Sequence, residues 1–131
     1  MELSSGQLVR YIGIDTPEVR RRARPGDREW QATEGDRWVV DPEPLALEAT
    51  AFNRQLVEGK HVRLEYDVQT QDRFGRLLAY VYVGDVMVNA ELVQAGFAQL
   101  LTIPPDVKYA DRFRALAEEA RRNNRGLWRK R

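Results

Sequence analysis

The chain has 131 residues, which suits one domain, and its 43% hydrophobic residues can form one modest core. Its 21 Lys and Arg against 20 Asp and Glu leave a formal net charge of +1, which argues against a nucleic-acid binder that relies on a large cationic excess. No Cys is present, and His61 is the only His, so disulfide scaffolds, thiol catalysis and zinc fingers are excluded. Any catalysis must therefore use carboxylates, guanidiniums, hydroxyls or backbone groups.

Neither a membrane span nor an export signal is visible in the sequence. No stretch approaches the roughly 20 apolar residues that a spanning helix needs, and the first six residues have neither a basic nor an apolar signal region. A mature protein that had lost its signal would look the same, so the sequence leaves the compartment open.

The N-terminal third predicts one strand followed by a long connection. Residues 8–14 are rich in β-formers and predict a strand that ends in the turn Asp15–Glu18, since Pro17 disfavours a helical residue before it. Residues 19–42 predict an irregular loop with two Trp and six Arg, five of which lie within 20–28. A connection this long in a small domain is usually functional or mobile.

The middle of the chain predicts a helix and then three strands. Apolar residues spaced four, three and four apart predict a helix from Pro44 to Glu58. Residues 61–67 alternate apolar and polar, as in a half-buried strand, and residues 77–83 are continuously apolar, as in a strand buried on both faces. The turn Gly84–Asp85 then leads into a short strand at 86–88.

The C-terminal part is mainly helical. Residues 89–95 predict a short helix, 102–106 a Pro-Pro loop, and 109–123 an amphipathic helix. Strands, helix, strands and helices in this order predict a single α+β domain with a small antiparallel sheet or barrel.

One group of polar residues surrounds the end of the first predicted strand. In a continuous strand Arg10, Ile12 and Ile14 share a face, and Asp15 and Glu18 lie on the turn beyond it. Two carboxylates and an arginine within nine residues can hold a hard divalent cation beside a phosphate. The sequence Asp-Thr-Pro is also ordinary turn chemistry. Considered without the rest of the chain, these residues slightly favour a plain turn over a cation and phosphate site.

Other cationic residues give weaker signals. Arg76, at the entry of a predicted strand, can point into a cleft as a permanent charge, although a lone arginine there is more often at the surface. The arginines of 20–28 could follow a phosphate backbone, with Trp30 or Trp38 stacking on a base. Acidic residues interleaved with these arginines favour a solvated loop instead. We expect His61 to be structural or solvated, and the tail 129–131 to be a solvated end.

Taken together, these motifs resemble the staphylococcal nuclease-like (thermonuclease) family. The resemblance covers nearly the whole chain in the family's order, in the segments 9–18, 47–52, 72–81, 88–96 and 117–128. It implies an OB-fold, with three helices packed on a small antiparallel barrel, and Ca²⁺-dependent hydrolysis of phosphodiester bonds in DNA and RNA. It also favours a secreted or periplasmic location. The alternative on the same fold is a catalytically silent nucleic-acid-binding or scaffold module.

The resemblance also implies roles for individual residues. Glu18 falls on the carboxylate that acts as, or positions, the general base for the attacking water. Arg10 and Arg76 fall on the two guanidiniums that clamp the scissile phosphate, and such fixed cations stabilise an anionic transition state. Asp15, through its carboxylate, and Thr16, through its backbone carbonyl, fall on Ca²⁺ ligands. This set needs neither His nor Cys.

Substrate contacts are where the chain departs from the family. Arg73 and Phe74 are expected to bind substrate, although Phe74 replaces a tyrosine of the family and so lacks its hydroxyl. Thr102 and Pro104 stand where the family has nucleotide-contacting tyrosines. We therefore expect the arginines of the loop 19–42, which is longer than the family suggests, to contribute to substrate binding.

The start of the chain departs from the family as well. The family begins with a strand carrying Asp-Gly-Asp-Thr, whose second Asp is a metal ligand, and Met1 stands about where that motif would have ended. We therefore expect a truncated domain, or a start assigned too late, with weakened Ca²⁺ binding. The unpaired barrel edge invites dimerisation or strand exchange in a domain otherwise expected to be a monomer.

Overall fold

The computed structural model describes residues 1–17 and 44–129, together with the backbone of two short segments at 21–22 and 38–39. The elements, in chain order, are β1 (Val9–Tyr11), β2 (Gly13–Asp15), β3 (Arg21–Arg22), β4 (Trp38–Val39), α1 (Ala46–Val57), β5 (Arg63–Glu65), β6 (Leu77–Val83), β7 (Val86–Met87), α2 (Val88–Gln94), β8 (Gln99–Leu101), α3 (Ala110–Arg122) and a 3₁₀ helix (Gly126–Trp128).

The longest strand, β6, organises the larger sheet. Along one side it pairs antiparallel with β5, and along the other it pairs parallel with β1 and, further on, antiparallel with β7. Separately, β2 pairs antiparallel with β8, and β3 with β4. The predicted α+β class and the three α-helices are confirmed. Within this fold the pairing of β1 with β6 is parallel, while the other described strand pairs are antiparallel, and the parallel pair is possible because a long crossover connects its strands.

The run from β1 to β2 is not one continuous strand. Val9, Ile12 and Ile14 are all buried, yet an unbroken strand cannot place residues three apart on one face. The break lies at Ile12 and Gly13, and Gly13 takes a positive φ of 84°. The predicted common face of Arg10, Ile12 and Ile14 is therefore wrong: the two isoleucines enter the core and Arg10 is half-buried. Because of the break, the same run joins the larger sheet, through β1, and the β2–β8 sheet, through β2.

A fully buried polar side chain, Asn89 in the first turn of α2, holds this break in place. Its amide oxygen accepts the Val81 N–H at 2.9 Å. Its amide nitrogen donates to the Ile12 carbonyl at 3.0 Å and lies 3.4 Å from the Ala79 carbonyl. A helix, the central strand and the bend before β2 are thereby tied together.

Most elements lie within two residues of their predicted bounds, and β6 has the predicted ones. The strand β8 and the 3₁₀ helix were not predicted. The predicted irregular loop 19–42 contains the short pair β3 and β4, and its other residues lie outside the described ranges. Within the described residues, no helix combines the length and the apolar character that a membrane span requires.

Candidate active site

A cleft of about 230 Å³ lies between the β1–β2 run, the start of β6 and α1. Four of the predicted site residues line it together: Arg10, Asp15, Thr16 and Arg76. Asn53 of α1 belongs to the facing wall. Since the two guanidiniums are cationic at any relevant pH, this arrangement suits an anion.

The parallel pairing of β1 with β6 explains why the two arginines meet. The Leu77 N–H donates to the Leu8 carbonyl at 2.9 Å, and Arg10 stands opposite Leu78. Arg76 directly precedes β6, the strand that neighbours the one carrying Arg10, so the two side chains can reach the same cleft. Residues 66 apart in sequence are brought to one cleft by a pairing that the sequence did not predict.

Asp72, to which the sequence analysis assigned no role, holds Arg76. Its Oδ2 lies 2.6 Å from Arg76 Nε, and its Oδ1 accepts the backbone N–H groups of Phe74 at 2.9 Å and Arg76 at 3.0 Å. Burial acts to raise the pKa of Asp72, but these hydrogen bonds and the guanidinium charge lower it overall. The carboxylate is therefore ionised at neutral pH. In turns, an Asp side chain often accepts the backbone N–H of the residue two positions later. This tendency is the only feature of the sequence that indicates a role for Asp72.

The predicted substrate residues Arg73 and Phe74 lie on the outside of the same turn. Phe74 is 68% exposed, with the Arg73 guanidinium 4.8 Å and that of Arg76 5.6 Å from the ring centroid. Neither residue lines the first cleft. They form an exposed cationic and aromatic surface beside it.

A second cleft, of about 400 Å³, shares Arg10 with the first. Its apolar wall comes from β6, β8 and the loop that follows β8, with Leu78, Leu101 and Ile103. Arg73 lies among its polar lining residues. This cleft could not be predicted from the sequence, because part of its wall comes from β8, which was not predicted.

Tyr11 contributes a polar group to the first cleft. Its hydroxyl donates to Asn53 Oδ1 at 2.5 Å. Burial raises the Tyr11 pKa to about 12, and the Asn53 hydrogen bond opposes this only in part. The hydroxyl therefore stays protonated at neutral pH and serves as a hydrogen-bonding group of the wall.

The described residues supply part of a cation site. Asp15 is exposed at the end of β2, and Thr16 lines the cleft beside it. Oxygen donors are the kind that Ca²⁺ takes, but it takes six to eight of them. Over residues 1–17 and 44–129, no group of three acidic, His or Cys side chains is placed to hold a metal. Glu18 lies outside the described residues.

Comparison with known proteins gives the same family as the motifs. A family model described as "Staphylococcal nuclease homologue" matches residues 8–130. The chain is 33% identical over 122 residues to the thermonuclease of Staphylococcus hyicus and 32% identical over 122 residues to that of Staphylococcus intermedius, covering 93% of this chain and 63% of each relative. It is 32% identical over 124 residues to endonuclease YncB of Bacillus subtilis, covering 93% of this chain and 51% of the relative.

The chain therefore belongs to the staphylococcal nuclease homologue family. This confirms the predicted family, and the described elements agree with its α+β fold. The chain spans between half and two thirds of the length of these relatives.

Proposed function

We propose that this chain is a nuclease domain that hydrolyses phosphodiester bonds of DNA and RNA, with Ca²⁺ as its cofactor. The observation that carries the proposal is the single cleft lined by Arg10 and Arg76, with Asp15 and Thr16 beside them. Family membership and the printed names of the relatives, thermonuclease and endonuclease, support the same activity.

In the proposed mechanism the two arginines bind the scissile phosphate. Arg10 and Arg76 donate charge-assisted hydrogen bonds to its non-bridging oxygens, which gain negative charge as water attacks phosphorus. Because these cations are already in place before the reaction, little reorganisation is needed when the charge develops.

Glu18 is the proposed general base. It directly follows Pro17, which lines the cleft. Its carboxylate takes a proton from the attacking water while the new P–O bond forms and the P–O bond to the leaving sugar oxygen breaks. A carboxylate suits this role in a chain with no Cys and one His.

Asp15 and the Thr16 carbonyl are the proposed Ca²⁺ ligands. The ion, when bound, would supply Lewis-acid polarisation of the phosphoryl group. The weakened Ca²⁺ binding expected from the sequence stays a prediction.

The remaining contacts would hold the rest of the substrate. Arg10 lines both clefts, so a phosphate on Arg10 places a neighbouring nucleoside within reach of the apolar wall of the second cleft. The exposed ring of Phe74 offers a stacking surface to a base, and Arg73 offers a charge to the backbone. Aromatic stacking does not depend on the sugar, which agrees with action on both DNA and RNA.

The test is a Ca²⁺-titrated cleavage assay on single-stranded DNA and RNA, with EDTA as control. The exposed carboxylate of Glu118, on α3, provides the matched substitution. We expect Ca²⁺-dependent cleavage that Glu18→Gln lowers by about 10²-fold or more, the usual contribution of a general base, and that Glu118→Gln leaves unchanged. A folded chain that binds single-stranded DNA without cutting it contradicts the proposal and supports the silent binding module.

A further inference from the structure

The ion pair between Asp72 and Arg76 restricts how Arg76 can meet an anion. The guanidinium presents two hydrogen-bonding edges, one formed by Nε with one Nη group and one formed by the two Nη groups. Its Nε lies 2.6 Å from Asp72 Oδ2, so the first edge is occupied. Among the described residues, the Nη groups of Arg76 have no hydrogen-bond partner, and they remain for a ligand.

Burial shows which side of the pair is fixed. The Asp72 side chain is 15% exposed and that of Arg76 is 38% exposed. The carboxylate is also held by the backbone N–H groups of Phe74 and Arg76. The guanidinium is thus attached to a rigid turn on one side and open on the other.

The charge of Asp72 does not favour phosphate binding. An ionised carboxylate next to Arg76 partly cancels its positive charge and repels an approaching phosphate. Apart from its hydrogen bonds to the turn, any benefit of Asp72 to a nuclease must therefore come from the orientation of the guanidinium. Arg10, by contrast, has no ion pair with any described residue.

We propose that Asp72 is a positioning residue that presents only the two Nη groups of Arg76 to the scissile phosphate. This rests on the proposed nuclease function. Orientation that is set before binding lowers the barrier of the chemical step, so its loss should reduce kcat more than it raises KM.

One substitution separates this role from the stability of the turn. Asp72→Asn keeps an oxygen that can accept the Phe74 and Arg76 N–H groups, but it places an NH₂ group opposite Nε, which is also a donor. Asp72→Ala removes both functions. Asp85→Asn is the matched control because Asp85 is an exposed carboxylate in the turn between β6 and β7.

The experiment measures kcat and KM for single-stranded DNA in a double-mutant cycle. We expect Asp72→Asn to lower kcat by about tenfold with KM changed less than about threefold, and Asp85→Asn to change neither. Combined with Arg76→Ala, Asp72→Asn should have no further effect, because the group that it orients is gone. Equal loss in both backgrounds, or full activity of Asp72→Asn, overturns the proposal.

A second readout does not depend on activity. Arg76 Nε–H should exchange slowly with solvent in the NMR spectrum of the unmodified chain and rapidly in Asp72→Asn, while amide signals of the turn persist. Equally rapid exchange in both chains overturns the anchoring itself. Slow exchange in an unmodified chain that does not cleave DNA would contradict the proposed function and the role of Asp72 in catalysis. It would leave the contact between Asp72 and Arg76 supported.

Discussion

Asn89 provides the sharpest test of how the fold positions the site. Asn89→Ala removes an acceptor for the Val81 N–H and a donor for the Ile12 carbonyl, both in the buried core. Ile12 lies at the break between β1, which carries Arg10, and β2, which carries Asp15. The substitution should therefore lower both stability and the precision of the cleft.

The magnitude follows from the two groups left without partners. An unsatisfied buried polar group costs about 1–3 kcal/mol, so the expected loss in the free energy of unfolding is roughly 2–6 kcal/mol. This is a large part of the about 5–15 kcal/mol that stabilises a typical domain. With a urea m-value of about 2 kcal/mol/M, this loss corresponds to a shift of the unfolding midpoint by about 1–3 M.

The assay is urea unfolding followed by tryptophan fluorescence and by circular dichroism. Asn123→Ala is the matched control, since Asn123 is exposed and makes one hydrogen bond to the Glu119 carbonyl. Asn89→Asp keeps the acceptor for Val81 but loses the donor to Ile12, and should also destabilise. A loss below about 1 kcal/mol in Asn89→Ala would contradict this prediction, since it would mean that leaving the Val81 N–H and the Ile12 carbonyl without partners carries no desolvation cost.

Three further predictions concern pH, the C-terminal segment and the second cleft. Because the pKa of Asp72 is lowered from 3.8 on folding, its contribution to stability is complete above that value and is lost as pH falls through the folded pKa. Asp72→Asn should therefore flatten the dependence of unfolding free energy on pH below about pH 4, and an unchanged slope in acid titration would contradict this. Gly96→Ala should destabilise by about 2 kcal/mol or more in thermal unfolding, because Gly96 has a φ of 81° and a Cβ there would lie 2.2 Å from the Arg125 carbonyl oxygen; an unchanged Tm would contradict it. Ile103→Asp should raise KM for single-stranded DNA several-fold by adding a negative charge to the second cleft, whereas Val107→Asp, outside that lining, should not; equal effects would contradict a role for this cleft.

Local pattern was enough to predict the regular elements. The four-three-four spacing predicted α1, the amphipathic repeat predicted α3, and the apolar run predicted β6 with its observed bounds. These elements are long, and each shows its burial in its own sequence. The grouping of Arg10, Asp15, Thr16 and Arg76 in one cleft agrees with the residues that the family resemblance singled out.

Features set by distant contacts could not be predicted in the same way. The break at Ile12 depends on Asn89, which is 77 residues away in sequence. The strand β8 has only three residues and is defined by its pairing with β2. The anchoring of Arg76 depends on the geometry of a turn, which residue types suggest but do not specify.

The proposed binding of the scissile phosphate by two arginines is tested by measuring kcat on single-stranded DNA, with Ca²⁺ present, for the unmodified chain, Arg76→Ala and Arg63→Ala. Arg63 is the matched control because its guanidinium stacks on Tyr82 at 4.2 Å and does not line either cleft. We expect Arg76→Ala to lower kcat by about 10²–10³-fold, as removal of one transition-state donor usually does, and Arg63→Ala to leave kcat within about twofold. A kcat that falls equally in both variants, or in neither, would contradict the two-arginine clamp.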